Sequence, residues 1–220
     1  MPPPYRGAVA LPTTASATGR GTRVALALSG VTRRHGGSSV WAPLDLHLDS
    51  DTVSVVTGEN GSGKTTLLRL AAGLLQPTTG TRTCQGTALY LRAGAGLRSA
   101  QTVGDAVAAT AALVGRRAAA GPALELLGID GLGARRLGSL SAGERVRASL
   151  AAAVAVEPSV LCLDEPTGAL DERGVDVLLT VLGRLRAAGS AVLVATHQPA
   201  GLLPLADAHL RLVDGRLEQA

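Results

Sequence analysis

Aromatic residues are scarce in this sequence: its 220 residues include no phenylalanine, one tryptophan and two tyrosines. Proteins that bind single-stranded nucleic acids stack the bases on aromatic side chains, so this composition argues against that class of function. The excess of basic over acidic residues, 21 against 17, is too small to indicate a nucleic-acid partner. We therefore expect no nucleic acid among the partners of this chain.

Long apolar segments and cysteine clusters are also missing from the sequence. No apolar run approaches the about 18 to 20 residues that a membrane-spanning helix needs, and three prolines follow Met1 where a signal peptide would have its apolar core. The two cysteines, Cys84 and Cys162, lack the spacing of a zinc site or a disulfide framework. These absences predict a cytoplasmic protein in a reducing compartment.

The composition that remains indicates one folded α/β domain. A chain of 220 residues can form one domain that buries roughly 70% of its unfolded surface, and 46% hydrophobic residues are enough for a core. Residues 1–20 are rich in Pro, Thr, Ala and Gly and show neither a helical nor an alternating period. We predict a flexible leader there, followed by the folded domain in residues 21–220.

The hydrophobic pattern alternates between strands and helices around a helical insert. Ala-rich segments broken by glycines predict a helical subdomain at about residues 93–158. Strands separated by helices predict a mostly parallel core sheet, with a small antiparallel β-layer near the start of the domain. The predicted strands are residues 23–28, 44–48, 52–57, 88–93, 160–163 and 191–195 and a hairpin at 210–217, and the helices that flank the insert are 64–72 and 174–188.

A glycine-rich segment, residues 58–65 (GENGSGKT), fits the pattern G-x-x-x-x-G-K-[ST] between a predicted strand and a predicted helix. The glycines let backbone N–H groups surround phosphate oxygens, and the following helix directs the positive end of its dipole towards them. A tight turn with a solvated lysine is the alternative, but the flanking strand and helix favour phosphate binding. The predicted nucleotide-binding residues here are Gly58, Glu59, Asn60, Gly61, Ser62, Gly63, Lys64, Thr65 and Thr66.

Within this segment, we expect Lys64, the one lysine of the chain, to reach the β- and γ-phosphates, and Thr65 to bind Mg²⁺. Two acids, Asp164 and Glu165, follow an apolar strand about a hundred residues later. In P-loop enzymes the first such acid orients Mg²⁺, and the next can polarise the attacking water. A strand that simply ends in solvent is the alternative. The glycine-rich segment in the same chain favours the catalytic interpretation.

Several further motifs, in their order along the chain, resemble those of the nucleotide-binding subunits of ATP-binding cassette (ABC) transporters. Residues 140–144 (LSAGE) are similar to the family signature LSGGQ, residues 166–171 (PTGALD) resemble the D-loop, and residues 195–197 (ATH) resemble the switch histidine. Alone, Ser141 and Glu144 would equally form a helix capping box, and a single histidine is often a surface residue. The resemblance extends over about residues 24–216.

The resemblance implies an α/β P-loop ATPase of the ABC type, with a mostly parallel core sheet, a small antiparallel β-layer and a helical subdomain. It implies ATP and Mg²⁺ as cofactors, with Thr65 and Asp164 at the metal. It also implies a nucleotide-dependent dimer of the chain with itself or a paralogue. In that dimer, the glycine-rich segment of one subunit and Ser141 and Gly143 of the other enclose ATP.

Catalytic roles and a membrane partner are implied in the same way. Glu165 would be the general base or the group that positions the attacking water, His197 would contact the γ-phosphate and hold Glu165, and Asp171 would couple the two sites. The sequence has no membrane span, so the resemblance implies a separate membrane-spanning permease. It places the chain peripherally on the inner face of the cell membrane, as an ATP-hydrolysing motor.

Some positions depart from the family pattern. Ala93 stands where the family has a glutamine, and alanine cannot bind a metal. His35 stands where an aromatic residue stacks on adenine; it can stack, with less area, or be a plain loop residue. We expect Trp41 to pack in the β-layer, or to contact a partner, rather than to stack on adenine. The alternative functions are a non-transport ABC ATPase, such as a soluble assembly scaffold, or a regulatory module that binds ATP and hydrolyses it weakly.

Overall fold

The structure, a computed structural model, describes residues 23–35, 38–92 and 97–220. The leader predicted for residues 1–20 and the departure at Ala93 lie outside the described residues, as does the side chain of His35. The strands are β1 (Val24–Thr32), β2 (Arg34–His35), β3 (Ser38–Ser39), β4 (Leu44–Asp49), β5 (Val53–Thr57), β6 (Thr79–Cys84), β7 (Ala88–Arg92), β8 (Val160–Asp164), β9 (Ala191–Ala195), β10 (Ala208–Val213) and β11 (Arg216–Gln219). The α-helices are α1 (Lys64–Ala71), α2 (Val103–Ala112), α3 (Ala120–Leu126), α4 (Ala142–Val156) and α5 (Glu172–Ala187).

A six-stranded sheet in the order β11-β10-β5-β9-β8-β7 forms the centre of the fold. Its strands from β10 to β7 are parallel, and β11 closes the edge as an antiparallel hairpin with β10. β5, β8 and β9 are covered on both faces, which is why they consist of almost continuous Val, Leu and Ala. The predicted mostly parallel sheet is confirmed.

The sheet separates two hydrophobic cores. Along β8, Leu161 and Leu163 belong to the core beneath the helices that follow β7, whereas Val160 and Cys162 belong to the core shared with α1 and the small β-layer. This division follows from the alternation of side chains across a strand. The sheet therefore has a helical face, with α2, α3, α4 and α5, and a second face that carries α1.

The small layer is a three-stranded antiparallel sheet in the order β4-β1-β6. It confirms the antiparallel layer predicted from the first strands. β6 itself was not predicted, because its sequence TGTRTC is largely exposed and has no apolar alternation. Trp41, which is 3% exposed, packs in the core between this layer and α1, as predicted, and its ring nitrogen donates to the Val31 carbonyl oxygen over 3.2 Å.

In the described part of the segment between β7 and β8 lie the α-helices α2, α3 and α4. α4 is the most buried of them, since nearly every residue from Ala148 to Val156 is buried. Its small alanine side chains let it pack closely. Among the described residues, no helix is long and apolar enough to cross a membrane. After β8, α5 begins at Glu172, two residues before the predicted start, because the side chain of Asp171 caps it.

Candidate active site

The carboxyl ends of β5, β8 and β9 meet at one edge of the large sheet. Register pairs Val56 of β5 with Ala195 of β9, and Ala195 in turn with Asp164 of β8. The backbone N–H of Glu165 donates to the Ala195 carbonyl oxygen over 2.8 Å, which extends the pairing beyond the strands. Residues predicted from three separate motifs therefore lie at the same edge.

The segment after β5, residues 58–66, which we name the phosphate cradle, turns sharply into α1. Its glycines Gly58, Gly61 and Gly63 have φ values of +153°, +85° and +103°, a region that L-residues with a side chain rarely adopt. At Gly63 a Cβ atom would also lie 2.7 Å from the ring of Trp41. The cradle thus requires glycine at Gly63 for two reasons, backbone conformation and contact with Trp41.

The start of α1 is suited to an anion. Its N-cap, Gly63, supplies no side-chain hydrogen bond, and its first turn contains no acidic residue. The first backbone N–H groups of a helix have no partner within the helix. They and the helix dipole therefore point towards the space that the cradle surrounds.

Two side chains of the cradle are suited to a phosphate group. Lys64 is only 7% exposed, and its Nζ donates to the carbonyl oxygens of Gly58 and Glu59 over 2.7 and 2.9 Å. The hydroxyl oxygen of Ser62 is buried and has no hydrogen-bond partner among the described residues. A buried ammonium held by neutral carbonyls and a buried hydroxyl without a partner both fit a phosphate group. Asn60 and Gly61 are exposed, and Thr66 is half-buried.

Asp164, at the end of β8, receives two hydroxyl groups. Thr65 Oγ1 and Tyr90 Oη each donate to its Oδ2 over 2.8 Å, and Asp164 is 3% exposed. Burial, and then the hydrogen bond to Asp164, raise the pKa of Tyr90 above its ordinary value, so its hydroxyl stays a donor. Sequence reasoning did not identify Tyr90. No local sequence pattern indicates it, because it reaches Asp164 through the pairing of β7 with β8.

The oxygen atoms of Thr65 and Asp164 fit Mg²⁺, which prefers hard oxygen ligands. Among the described residues no group of three or more His, Cys, Asp or Glu side chains could hold a metal ion alone. Mg²⁺ sites commonly use one or two protein oxygens, with substrate phosphates and water as the other ligands.

Glu165 and His197, at the ends of β8 and β9, form a pair. The ring Nδ1 of His197 lies 2.8 Å from Glu165 Oε2, and the backbone N–H of His197 donates to the same oxygen over 3.3 Å. Glu165 has a φ of +52°, an uncommon conformation for a residue with a side chain. The pair is partly exposed, so a water molecule and a nucleotide can reach it.

The segment at residues 140–144, which we name the signature segment, lies at the start of α4 and forms a complete capping box. The Glu144 N–H donates to Ser141 Oγ over 3.2 Å, and the Ser141 N–H donates to Glu144 Oε2 over 2.7 Å. The hydrogen bond from the Ser141 N–H to this carboxylate, then the interaction with the Ser141 hydroxyl and the nearby Arg135, lower the pKa of Glu144. No hydrogen bond or ion pair of the described residues joins this segment to the cradle of the same chain.

The remaining predicted residues lie near the signature segment or outside the described side chains. Gly143 is half-buried, and a Cβ there would lie 3.3 Å from the Ala169 carbonyl oxygen. Asp171 caps α5 by accepting from the Gly174 N–H over 2.8 Å, and its side chain is 74% exposed. The backbone of His35 lies in β2, and its predicted contact with adenine stays a prediction.

Comparisons with known proteins agree with this geometry. A family model described as "ABC transporter" matches residues 42–168. The chain is 36% identical over 212 residues to the phosphonates import ATP-binding protein PhnC 1 of Natronomonas pharaonis, covering 87% of this chain and 91% of that protein. It is 36% identical over 177 residues to the cytochrome c biogenesis ATP-binding export protein CcmA of Nitrobacter winogradskyi, covering 76% of this chain and 88% of that protein.

Solved structures show the same fold. The dimeric post-hydrolysis structure of the ATP-binding cassette MJ0796, bound to ADP and Pi, aligns with a TM-score of 0.80 at 21% identity, covering 88% of this chain and 98% of that chain. The structure titled as the ATP binding subunit of an ABC transporter aligns with a TM-score of 0.81 at 20% identity, covering 88% and 89%.

Proposed function

The chain belongs to the ABC transporter family as an ATP-binding subunit that hydrolyses ATP, and from this premise we propose that it powers a separate membrane-spanning permease by closing and reopening a dimer. The family, the ABC-type fold and the ATPase activity predicted from the sequence are confirmed. We propose the roles of the individual residues, the bound metal, the dimer and the permease.

The observation that carries the proposal is the meeting of three motifs at one edge of the large sheet. Lys64 and Thr65 begin α1, Asp164 and Glu165 end β8, and His197 follows β9. Two contacts of 2.8 Å, Thr65 to Asp164 and His197 to Glu165, join these motifs in pairs. If the cradle binds the phosphate chain of ATP, the last phosphate would face both the Thr65–Asp164 pair and the Glu165–His197 pair.

In this site, Lys64 leaves the carbonyl oxygens of Gly58 and Glu59 for the stronger partner that a triphosphate offers. Glu165 takes the proton of the attacking water, and His197 holds its carboxylate in place. Thr65 and Asp164 hold Mg²⁺, which when bound neutralises the charge that develops on the phosphate oxygens. Positioning and charge stabilisation are what phosphoryl transfer mainly requires.

A second subunit would supply the other side of the nucleotide. Ser141 is exposed at the start of α4, whose dipole and N–H groups favour an anion, and no hydrogen bond or ion pair in the described part of the chain joins it to the cradle. We therefore place the signature segment of one subunit over the cradle of another, with Asp171 near the interface. A second copy of the chain is the partner we propose; a paralogue is the alternative.

The permease would be a separate chain at the inner face of the membrane. Relatives of this chain are named as import and export ATP-binding proteins, names that fit a motor acting on a separate transport channel. The helices between residues 93 and 158 form the helical subdomain in this proposal, within an ATPase domain that begins near residue 21. A soluble assembly-scaffold ATPase is the competing function.

The experiment is purification of the tagged chain from detergent-solubilised membranes of the native cell. The proposal predicts recovery with one protein of many membrane-spanning helices, and stimulation of ATP hydrolysis when the complex is reconstituted into vesicles. The matched control is Lys64→Ala, which should still assemble but not hydrolyse ATP. Recovery of the chain solely with soluble proteins would favour the assembly scaffold instead.

A further inference from the structure

We propose that Tyr90 is a positioning residue for the metal: its hydroxyl holds the Asp164 carboxylate in the orientation that binds Mg²⁺, and so sets the Mg²⁺ affinity of the site. This inference rests on the proposed function, in which Thr65 and Asp164 hold the ion. It concerns a residue on β7, a strand that supplies none of the other groups in that site.

Two hydroxyl groups share one acceptor, a carboxylate oxygen of Asp164. Thr65 Oγ1 and Tyr90 Oη donate to the same oxygen, Asp164 Oδ2, each over 2.8 Å. No hydrogen bond of the described residues uses Asp164 Oδ1. The two hydroxyls therefore fix one carboxylate oxygen and leave the other free to face an ion or its water shell.

In the proposed site, the Thr65 hydroxyl would have to bind Mg²⁺ and donate to Asp164 at the same time. A hydroxyl that binds Mg²⁺ through its oxygen keeps one proton to donate, and the direction of that proton shifts as the oxygen meets the ion. Asp164 would then depend on a single adjustable donor. Tyr90 supplies a second donor that does not contact the ion, so the carboxylate stays oriented while Thr65 adapts.

The position of Tyr90 relative to Asp164 is fixed by the large sheet. Its backbone is paired in register with Cys162, two residues before Asp164, so donor and acceptor stand on adjacent parallel strands. Its ring is half-buried, and the guanidinium carbon of Arg69 lies 5.8 Å from the ring centroid. Removing the hydroxyl alone, as in Tyr90→Phe, should leave this packing in place.

The test compares ATP affinity with and without Mg²⁺, measured by calorimetry on the full chain. Tyr90→Phe should bind ATP in the presence of a chelator as the wild type does, but lose about tenfold of the gain in affinity that Mg²⁺ provides. The Mg²⁺ concentration for half-maximal ATP hydrolysis should rise by a similar factor, and saturating Mg²⁺ should recover the rate.

The matched control is Ser190→Ala. It removes another buried hydroxyl, which donates to the Pro158 carbonyl oxygen over 2.6 Å before β9, at the opposite edge of the sheet. This variant should have the wild-type dependence on Mg²⁺ even if its melting temperature falls. A lower melting temperature of Tyr90→Phe with unchanged Mg²⁺ dependence would show a merely structural role and overturn the inference.

Asp164→Asn separates this inference from the proposed function. If the metal site is as proposed, Asp164→Asn abolishes most of the Mg²⁺-dependent gain in ATP affinity, and adding Tyr90→Phe to it has no further effect. If Asp164→Asn reduces that gain but Tyr90→Phe alone does not, the positioning role of Tyr90 is wrong and the metal site stands. If neither variant alters it, the metal site itself is wrong.

Discussion

The phosphate cradle and the signature segment both lie at the start of a helix, yet their polar groups are paired differently. In the cradle, Lys64 is held by carbonyl oxygens of its own loop and the buried Ser62 hydroxyl lacks a partner among the described residues. In the signature segment, Ser141 and Glu144 satisfy each other completely. The cradle therefore offers a phosphate polar groups with weak partners or none, whereas the polar side chains of the signature segment are already paired.

The difference indicates which region binds nucleotide first. A monomer should gain most from ATP at the cradle, because a triphosphate gives partners to buried groups that have weak ones or none. The polar groups of the signature segment already have partners, so we expect it to contribute only when another subunit presents a phosphate to it. Variants in the two regions should therefore separate nucleotide binding from dimer formation.

The largest effect is expected at the catalytic pair beside the cradle. Glu165→Gln removes the general base but keeps the shape of the side chain, so ATP hydrolysis should fall by about 10²- to 10⁴-fold while ATP affinity stays near that of the wild type. Steady-state hydrolysis and calorimetric binding measure the two quantities. Glu172→Gln, at an exposed position in the first turn of α5, is the control and should hydrolyse ATP normally.

A glycine substitution tests the cradle itself. In Gly63→Ala the new Cβ would lie 2.7 Å from the Trp41 ring at a φ of +103°, so the cradle backbone must shift, and ATP affinity should fall by more than about tenfold. At Gly61 the φ is +85° but no atom lies within 4 Å, so Gly61→Ala should lower the free energy of unfolding by only the backbone strain, about 1–2 kcal/mol, and should reduce ATP affinity less than Gly63→Ala does. Equal losses of affinity in the two variants would argue against the contact with Trp41.

Two substitutions at Ser141 separate its role as the N-cap of α4 from its proposed contact with a phosphate. Ser141→Ala removes the cap and should lower the free energy of unfolding by about 1 kcal/mol, which corresponds to a melting temperature about 2–4 °C lower. Ser141→Asp keeps a capping side chain but adds a negative charge where we place a phosphate. It should melt near the wild type and fail to hydrolyse ATP, and a fully active Ser141→Asp would exclude that placement.

The smallest effect is expected from Glu144, whose lowered pKa links the capping box to pH. The ionised carboxylate is favoured in the folded state, so its contribution to stability is present above its ordinary value of 4.5 and is lost as the pH falls below it. The melting temperature of Glu144→Gln should therefore lie below that of the wild type at pH 7 and approach it towards acid. A gap between the two that does not change with pH would refute this linkage.

The sequence predicted the strands and helices that have a clear period, because burial on a sheet or a helix face requires one. β5, β8 and β9 are buried runs of small apolar residues, and β9 has the predicted bounds of 191–195. β6 was missed because its residues are mostly exposed Thr and Gly with no pattern. β2 and β3 have two residues each, too few to show any periodicity.

Site residues that belong to a sequence motif could be predicted. A residue that reaches the site only through the pairing of two strands could not. The residues of the cradle and the acids of β8 are recognisable as sequence patterns, and the fold brings them together. Tyr90 reaches Asp164 because β7 happens to lie beside β8, a neighbour relation that no local pattern encodes. Ala93 and the side chain of His35 lie outside the described residues, so their predicted effects stay predictions.

The most direct test of the two-region account is a mixture of two inactive variants, Lys64→Ala and Ser141→Asp. Each alone should hydrolyse ATP near background, the first because its cradle fails and the second because its signature segment repels phosphate. A mixed dimer has one site made from an intact cradle and an intact signature segment, so the mixture should hydrolyse ATP well above the sum of the two variants. Hydrolysis equal to that sum would contradict a site shared between two copies of this chain.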